Sequence, residues 1–220
     1  MHASCRVSYR LASLVLDVGQ DWLGEAADIE ADAILLTHAY PDHAWGLKNG
    51  APCPVYATGE TFEALKGFAI EDERVVEPGK TLEVSGMHFE AFTVEHSTRA
   101  PAVGYRVTAG KHSIFYAPDL VYIHDRRRAL AGVDIYIGDG ATVTRPMVRK
   151  RGEALIGHVP IQTQLTWCLK EGVPLGIFTH CGSQIVGAPD EEVVLARIEG
   201  MARQSGVRVM VAYDGMQLTV

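Results

Sequence analysis

The chain contains no CxxC pair, no internal repeat and no low-complexity tract. It also has no apolar run near the roughly 18 residues that a membrane-spanning helix needs. Each absence closes off a class. Four cysteines, Cys5, Cys53, Cys168 and Cys181, are scattered over 220 residues. They make neither a disulfide framework nor a zinc knuckle, and the expectation is a cytoplasmic protein. The opening stretch MHASCRVSYR lacks the apolar core of a signal peptide, and no membrane partner is expected. Cationic excess is missing too. A net charge of -7 argues against broad, non-specific nucleic-acid binding and leaves room only for a local basic patch. With no linker rich in Pro, Gly or Ser, residues 1–220 read as a single domain. Its hydrophobic fraction of 47% is enough to build a full core.

What is present is an alternation of apolar runs and turn residues. CRVSYR and SLVLDVG read as a first pair of strands. AILLT (Ala33–Thr37) is a continuous apolar run of the kind buried on both faces. Short strands are expected at Pro54–Ala57, Ser113–Tyr116, Asp134–Ile137 and Leu175–Phe178, and longer ones at Met87–Val94, Val103–Thr108 and Val207–Ala212. Helices are expected at Gly59–Leu65, at Ile161–Lys170 ending on Gly172, and at Asp190–Gln204. The last has an acidic first turn and a basic last turn, in keeping with the helix dipole. Strands interleaved with a few helices make a layered α/β or α+β protein.

The chemistry concentrates at strand ends. Directly after AILLT comes Thr37-His38-Ala39-Tyr40-Pro41-Asp42-His43, two imidazoles and a carboxylate in one tight turn. Imidazole with carboxylate suits Zn²⁺, Mn²⁺ or Fe²⁺. Three later apolar runs end in the same residue types: His96 in TVEHS, Asp119 in FYAPD and His180 in IFTHCG. One polar residue at a strand end is ordinary. A repeated delivery of His and Asp to strand ends points to a ligand set.

In this order and spacing the chain resembles the metallo-β-lactamase superfamily, whose pattern is HxHxDH followed by a His, a bridging Asp and a final His. The resemblance implies an α/β fold, a four-layer αββα sandwich. It also implies one or two divalent ions, zinc first, with manganese or iron as alternatives. By the resemblance His38, His96 and Asp119 hold one ion, and Asp42, His43, His180 and the shared Asp119 the other. The pattern departs at Tyr40, which stands where the family has its second His. A neutral phenol, with an ordinary pKa near 10, is a poor ligand, so metal loading is expected to be weakened or altered. His2 lies near a region where family members place basic residues.

The second half resembles the phosphodiesterase branch that includes RNase Z. HSTRAPAVGYRV, IGDGAT and GHVPIQTQLTWCLKEGVPLGIFTHCGS carry this likeness. It implies a metal-dependent hydrolase in which a metal-activated water attacks a phosphodiester, either a small or cyclic one or a nucleic-acid end. Asp42 is the third catalytic candidate beside His158 and Asp139; by the resemblance these two support leaving-group protonation, with the imidazole protonating the departing oxygen and the carboxylate orienting it. Here Asp139 replaces a Glu one methylene longer. The loop Arg145–Arg151, with Arg145, Arg149, Lys150 and Arg151, is a candidate phosphate contact. Arg126–Arg128 reads as a solvated helical face, His124 as a residue of an exposed helix, and Cys181 as packing. A homodimer is compatible with the family. Two other readings stay open. The same site would serve a carboxylic ester, lactone or thioester, and Tyr40 would suit a non-catalytic member.

Overall fold

The computed structural model describes residues 3–220, so His2 lies outside the described residues. The chain gathers into two compact units. The first is Met1–Thr93 with Arg99–Gly110, and the second is Val94–Thr98 with Lys111–Val220.

In the first unit the elements are β1 (Cys5–Tyr9), β2 (Ala12–Leu16), β3 (Ala33–Leu35), α1 (Pro41–Ala44), β4 (Val55–Ala57), α2 (Gly59–Ala64), β5 (Glu73–Val75), β6 (Thr81–Val84), β7 (Met87–Glu95) and β8 (Ala102–Ala109). The last two residues of β7 fall in the second unit. A five-stranded sheet runs β1-β2-β3-β4-β5. Its first pair is antiparallel and its remaining pairs are parallel. β6 pairs antiparallel with β7, which neighbours β8. Parallel pairing explains why β3 is so continuously apolar: Ala33, Ile34 and Leu35 are fully buried. Ile34 joins a core with Val15, Val18, Leu36, Leu47, Val55 and Phe62. Side chains of this size stabilise by about 1.5–3 kcal/mol each when fully buried. Phe89 of β7 packs between Tyr56 and Tyr105, at 5.1 and 6.2 Å. The Tyr105 hydroxyl donates to the Leu36 carbonyl at 3.0 Å. That bond pins the chain just where β3 gives way to the His38 turn.

The second unit holds β9 (His112–Tyr116), β10 (Tyr122–Ile123), α3 (Arg126–Leu130), β11 (Ile135–Asp139), β12 (Met147–Arg151), β13 (Ala154–His158), α4 (Ile161–Glu171), β14 (Leu175–Thr179), α5 (Glu191–Ser205) and β15 (Arg208–Val211). Strands β9, β11, β14 and β15 pair in parallel in that order. Ile135, Leu175 and Ile177 form part of their core. Helix α4 ends on Gly172, whose left-handed φ of 74° closes it, as the sequence predicts.

Three expectations are corrected. Arg145–Arg151 is not a loop throughout. Met147–Arg151 forms β12, antiparallel to β13 through a two-residue link, Gly152-Glu153. Gly152, with φ of 63°, holds the first central place, which a type II′ hairpin turn reserves for glycine. MVRKR gives no hydrophobic alternation because β12 is mostly exposed. Its pairing comes from the partner strand. His124 is exposed as expected, but it lies in the turn between β10 and α3. The three arginines do not form a uniform solvated face. Arg126 is half-buried, stacks over Trp167 at 5.2 Å and pairs with Glu171 at 3.2 Å.

Candidate metal and acid–base site

Each unit prepares its own histidines. In the first, the chain leaves β3 through Leu36 and Thr37 and turns at Tyr40 into α1. Pro41 starts this short helix, where its missing N–H costs nothing. The amides of His43 and Ala44 donate to the Tyr40 carbonyl at 3.0 and 2.9 Å. This turn brings together four of the sequence-derived residues. The His38 ring lies 4.2 Å from that of His43 and 5.1 Å from that of Tyr40. Asp42 Oδ2 lies 3.5 Å from His43 Nε2.

Beneath them sits Asp17, a residue that sequence reasoning missed. It is fully buried at the end of β2 with a left-handed φ of 60°. It accepts from the Thr37 amide at 2.8 Å and from the Thr37 hydroxyl at 2.9 and 3.0 Å, and it lies 2.9 Å from His43 Nδ1. Proton logic follows. Asp17 accepts the Nδ1 proton of His43, which leaves Nε2 as the basic nitrogen. Thr37 has one hydroxyl proton and gives it to Asp17. Its oxygen, 3.0 Å from His38 Nδ1, therefore accepts from that ring, and His38 also presents Nε2. A carboxylate behind an imidazole is the usual outer support of a metal-ligating histidine.

In the second unit Asp119 is the hub. Its carboxylate lies 3.1 Å from His180 Nδ1, 3.4 Å from His158 Nδ1 and 3.5 Å from His96 Nε2. His96 is fixed by Gly157. The Gly157 amide donates to the His96 carbonyl at 2.9 Å, and the Gly157 carbonyl lies 3.2 Å from His96 Nδ1. That carbonyl can only accept, so His96 too carries its proton on Nδ1 and offers Nε2. Position 157 must be glycine. Its φ is 115°, and an added Cβ would sit 1.9 Å from the Met147 carbonyl oxygen. Burial pushes the His96 pKa down, against the opposing pull of Asp119, so the neutral, ligating form is favoured.

His158 ends β13, with Nδ1 2.8 Å from Asp139 Oδ2. The same Oδ2 accepts from the Leu120 amide at 3.1 Å, and Oδ1 accepts from Ala141 at 2.8 Å. Burial pushes the Asp139 carboxyl up, and the hydrogen bond from His158 pulls it back. Gln164 of α4, also missed from sequence, fixes the backbone here. Its amide donates to the carbonyls of Asp139 and Val159, and its oxygen accepts from the Asp139 amide and the Tyr136 hydroxyl. Cys181 turns its thiol toward the Phe178 carbonyl at 3.6 Å. Burial, with the charge of Asp139, pushes that thiol up to about 11. It is a packed neutral group, as the sequence reading holds.

Asp119, Asp139, His158 and His180 each offer a ligand atom, and these atoms all lie within 4.8 Å of one another. A set of carboxylates and imidazoles without thiolate fits a divalent ion of the zinc, manganese or iron kind. His180 has a left-handed φ of 53°, the sort of local strain that collects at functional sites.

This fold and this donor set define a class, proteins of the metallo-β-lactamase fold with a candidate divalent-metal site. Residues 15–181 match the family described as the β-lactamase superfamily domain, and the chain belongs to that family. A curated relative, an exodeoxyribonuclease WalJ from Streptococcus pneumoniae, is 29% identical over 113 residues. That match takes in 47% of this chain and 40% of the relative's length. Among solved structures, the metallo-β-lactamase-fold protein YhfI from Bacillus subtilis is similar with a TM-score of 0.73 at 16% identity, covering 98% of this chain and 90% of that one. Human tRNase Z, short form, is similar with a TM-score of 0.66 at 14% identity, covering 98% and 91%. The chain is thus a member of the β-lactamase superfamily with the metallo-β-lactamase fold, a family that implies divalent metal ions. No helix among the described residues is long and apolar enough to cross a membrane.

Proposed function

We propose that the chain is a metal-dependent phosphodiesterase of the RNase Z branch. One observation carries the reading. Beside Asp119 stands an imidazole, His158, held 2.8 Å from a buried carboxylate, Asp139. That pair suits protonation of an alkoxide leaving group, a demand that phosphodiester cleavage makes. The names of WalJ and tRNase Z point the same way.

Asp119, His180 and His96 would hold metal. His38, Asp42 and His43 keep the ligand role, and Asp42 the catalytic role, that the sequence resemblance implies. When bound, a divalent ion supplies Lewis-acid charge at the phosphoryl oxygen and lowers the pKa of a water. The chain's own residues do the rest. Asp139 fixes the proton on His158 Nδ1, and His158 Nε2 hands its proton to the departing oxygen. Arg145, Arg149, Lys150 and Arg151 bind the flanking phosphates.

The test uses zinc- or manganese-loaded protein with two diesters, one leaving as p-nitrophenolate and one as an alkoxide. Asp119→Ala should abolish both reactions. His158→Ala should slow the alkoxide substrate by about 10²–10⁴-fold and the p-nitrophenyl ester far less, because that leaving group needs no proton. Hydrolysis of a lactone or thioester with both diesters untouched would overturn the reading.

A further inference from the structure

Strands β12 and β13 form a two-stranded sheet of their own. A lone hairpin is marginally stable in water, and β12 is mostly exposed. The hairpin must therefore be held from outside, and its second strand ends on His158. In an antiparallel pair every second residue bonds across to the partner strand, so the intervening amides point away from it. On β13 and just beyond it, three such amides alternate along one edge, and all three are taken. Leu155 donates to the Glu95 carboxylate at 2.7 Å. Gly157 donates to the His96 carbonyl and Val159 to the Leu120 carbonyl, each at 2.9 Å. Two of these acceptors are main chain, and the third is a side chain.

Glu95 is the last residue of β7. Its own carbonyl is turned to the other side, where it accepts from the Val121 amide at 2.6 Å, and it stands opposite Tyr122 of β10 in the register. The carboxylate, not the main chain, continues the ladder outward to Leu155. Its second oxygen lies 3.4 Å from His124 Nε2, and the side chain is 24% exposed. A bond to an ionised acceptor is roughly twice as strong as one between neutral groups.

His158 sits between the bonds at Gly157 and Val159, and the bond to Glu95 lies on the far side of Gly157. That glycine has a φ of 115° and no side chain to stiffen it. Rotation there would swing the outer part of the hairpin and drag on the backbone of His158. The grip of Glu95 on Leu155 opposes that rotation. Proton transfer is sensitive to such a shift, since a misplacement of about 1 Å can cost 10²-fold in rate.

We propose that Glu95 is a positioning residue for proton transfer: by holding the Leu155 amide it fixes β13 and, through β13, the seat of His158 on Asp139. The proposal rests on the phosphodiesterase reading and adds to it a residue that acts without touching the substrate.

The experiment uses the metal-loaded full chain with the alkoxide and p-nitrophenyl diesters, together with amide hydrogen exchange. Glu95→Ala should lower kcat for the alkoxide diester by about 10–10²-fold. KM should stay within about twofold, the mark of an interaction that serves the transition state. The p-nitrophenyl diester, which needs no proton, should change far less. Glu95→Gln keeps an oxygen that accepts from Leu155 and should restore most of the rate. In a His158→Ala background, Glu95→Ala should cost nothing further, because the two act as one unit. Exchange at the Leu155 and Gly157 amides should be faster in Glu95→Ala and unchanged in Glu95→Gln. Equal slowing of both diesters, an additive loss in the double variant, or a glutamine variant as slow as the alanine one would each overturn the proposal. If the parent cleaves both diesters and Glu95→Ala cleaves the alkoxide substrate as fast, the inference fails alone. If the parent cleaves neither, the phosphodiesterase reading fails. Exchange then decides the rest: faster exchange at Leu155 and Gly157 sustains Glu95 as the anchor of the strand that carries His158, and unaltered exchange overturns it.

Discussion

Asp17 shows how much of this site is set by residues that never touch a ligand. It takes protons from Thr37 and His43, and through Thr37 it sets the tautomer of His38. Asp17→Asn keeps the shape but replaces one acceptor oxygen with a donor. Metal affinity should fall about 10–100-fold, measured by chelator competition, while the far-ultraviolet circular dichroism stays unchanged. Unchanged affinity would mean that the tautomers are set some other way. Tyr40 calls for the reverse experiment. Tyr40→His should raise zinc affinity and bring the stoichiometry toward two ions per chain, read by elemental analysis. In sequence, His38, His96, Asp119 and His180 were legible as ligand candidates because each ends an apolar run. Asp17 was not legible, since it is a lone Asp in SLVLDVG whose partners lie 20 and 26 residues on. Gly157 was visible only as part of a GH pair. Its reason, the Met147 carbonyl against its Cα, is tertiary.

Among the elements, α4 does more than cover a sheet. Gln164 satisfies the peptide of Asp139 and the hydroxyl of Tyr136 from a fully buried position. Gln164→Leu would leave several buried polar groups without partners, at about 1–3 kcal/mol each. Urea unfolding should show a loss of roughly 3 kcal/mol or more, and a loss below 1 kcal/mol would contradict this role. The long apolar strands and both long helices were legible from periodicity. Strands β5, β6, β10, β12 and β13 were not. They are short or exposed, and their backbone pairing with a neighbour holds them where burial does not. The basic segment therefore read as a loop, although its charge was plain.

For the molecule as a whole, metal and pH act on stability through groups that only the folded state arranges. Zinc at 100 times its Kd should stabilise by about 2.7 kcal/mol. For a chain of this length that amounts to a rise in Tm of roughly 5–10 °C, absent in Asp119→Ala. Alkaline pH should act in the other direction. Burial raises the Cys168 thiol from 9.0 to about 12 and pushes the Tyr136 hydroxyl well above its usual value. Between about pH 9 and 12 the folded chain holds a proton on Cys168 that the unfolded chain has released. Stability is therefore full below pH 9 and falls as pH rises, by up to about 1.4 kcal/mol per pH unit for that thiol. Thermal melts from pH 8 to 11 should show the decline, and Cys168→Ala should flatten part of it.

The order and spacing of its histidines and aspartates, together with the period of its apolar runs, were enough to determine the family and the α/β class, and to name candidate metal ligands. These are local properties, since a strand end and a turn are written in a few adjacent residues. Tertiary structure alone decided which nitrogen each imidazole presents, why residue 157 has no side chain, and that the Glu95 carboxylate meets the Leu155 amide. Each of these depends on atoms far apart in the chain being brought within hydrogen-bonding distance.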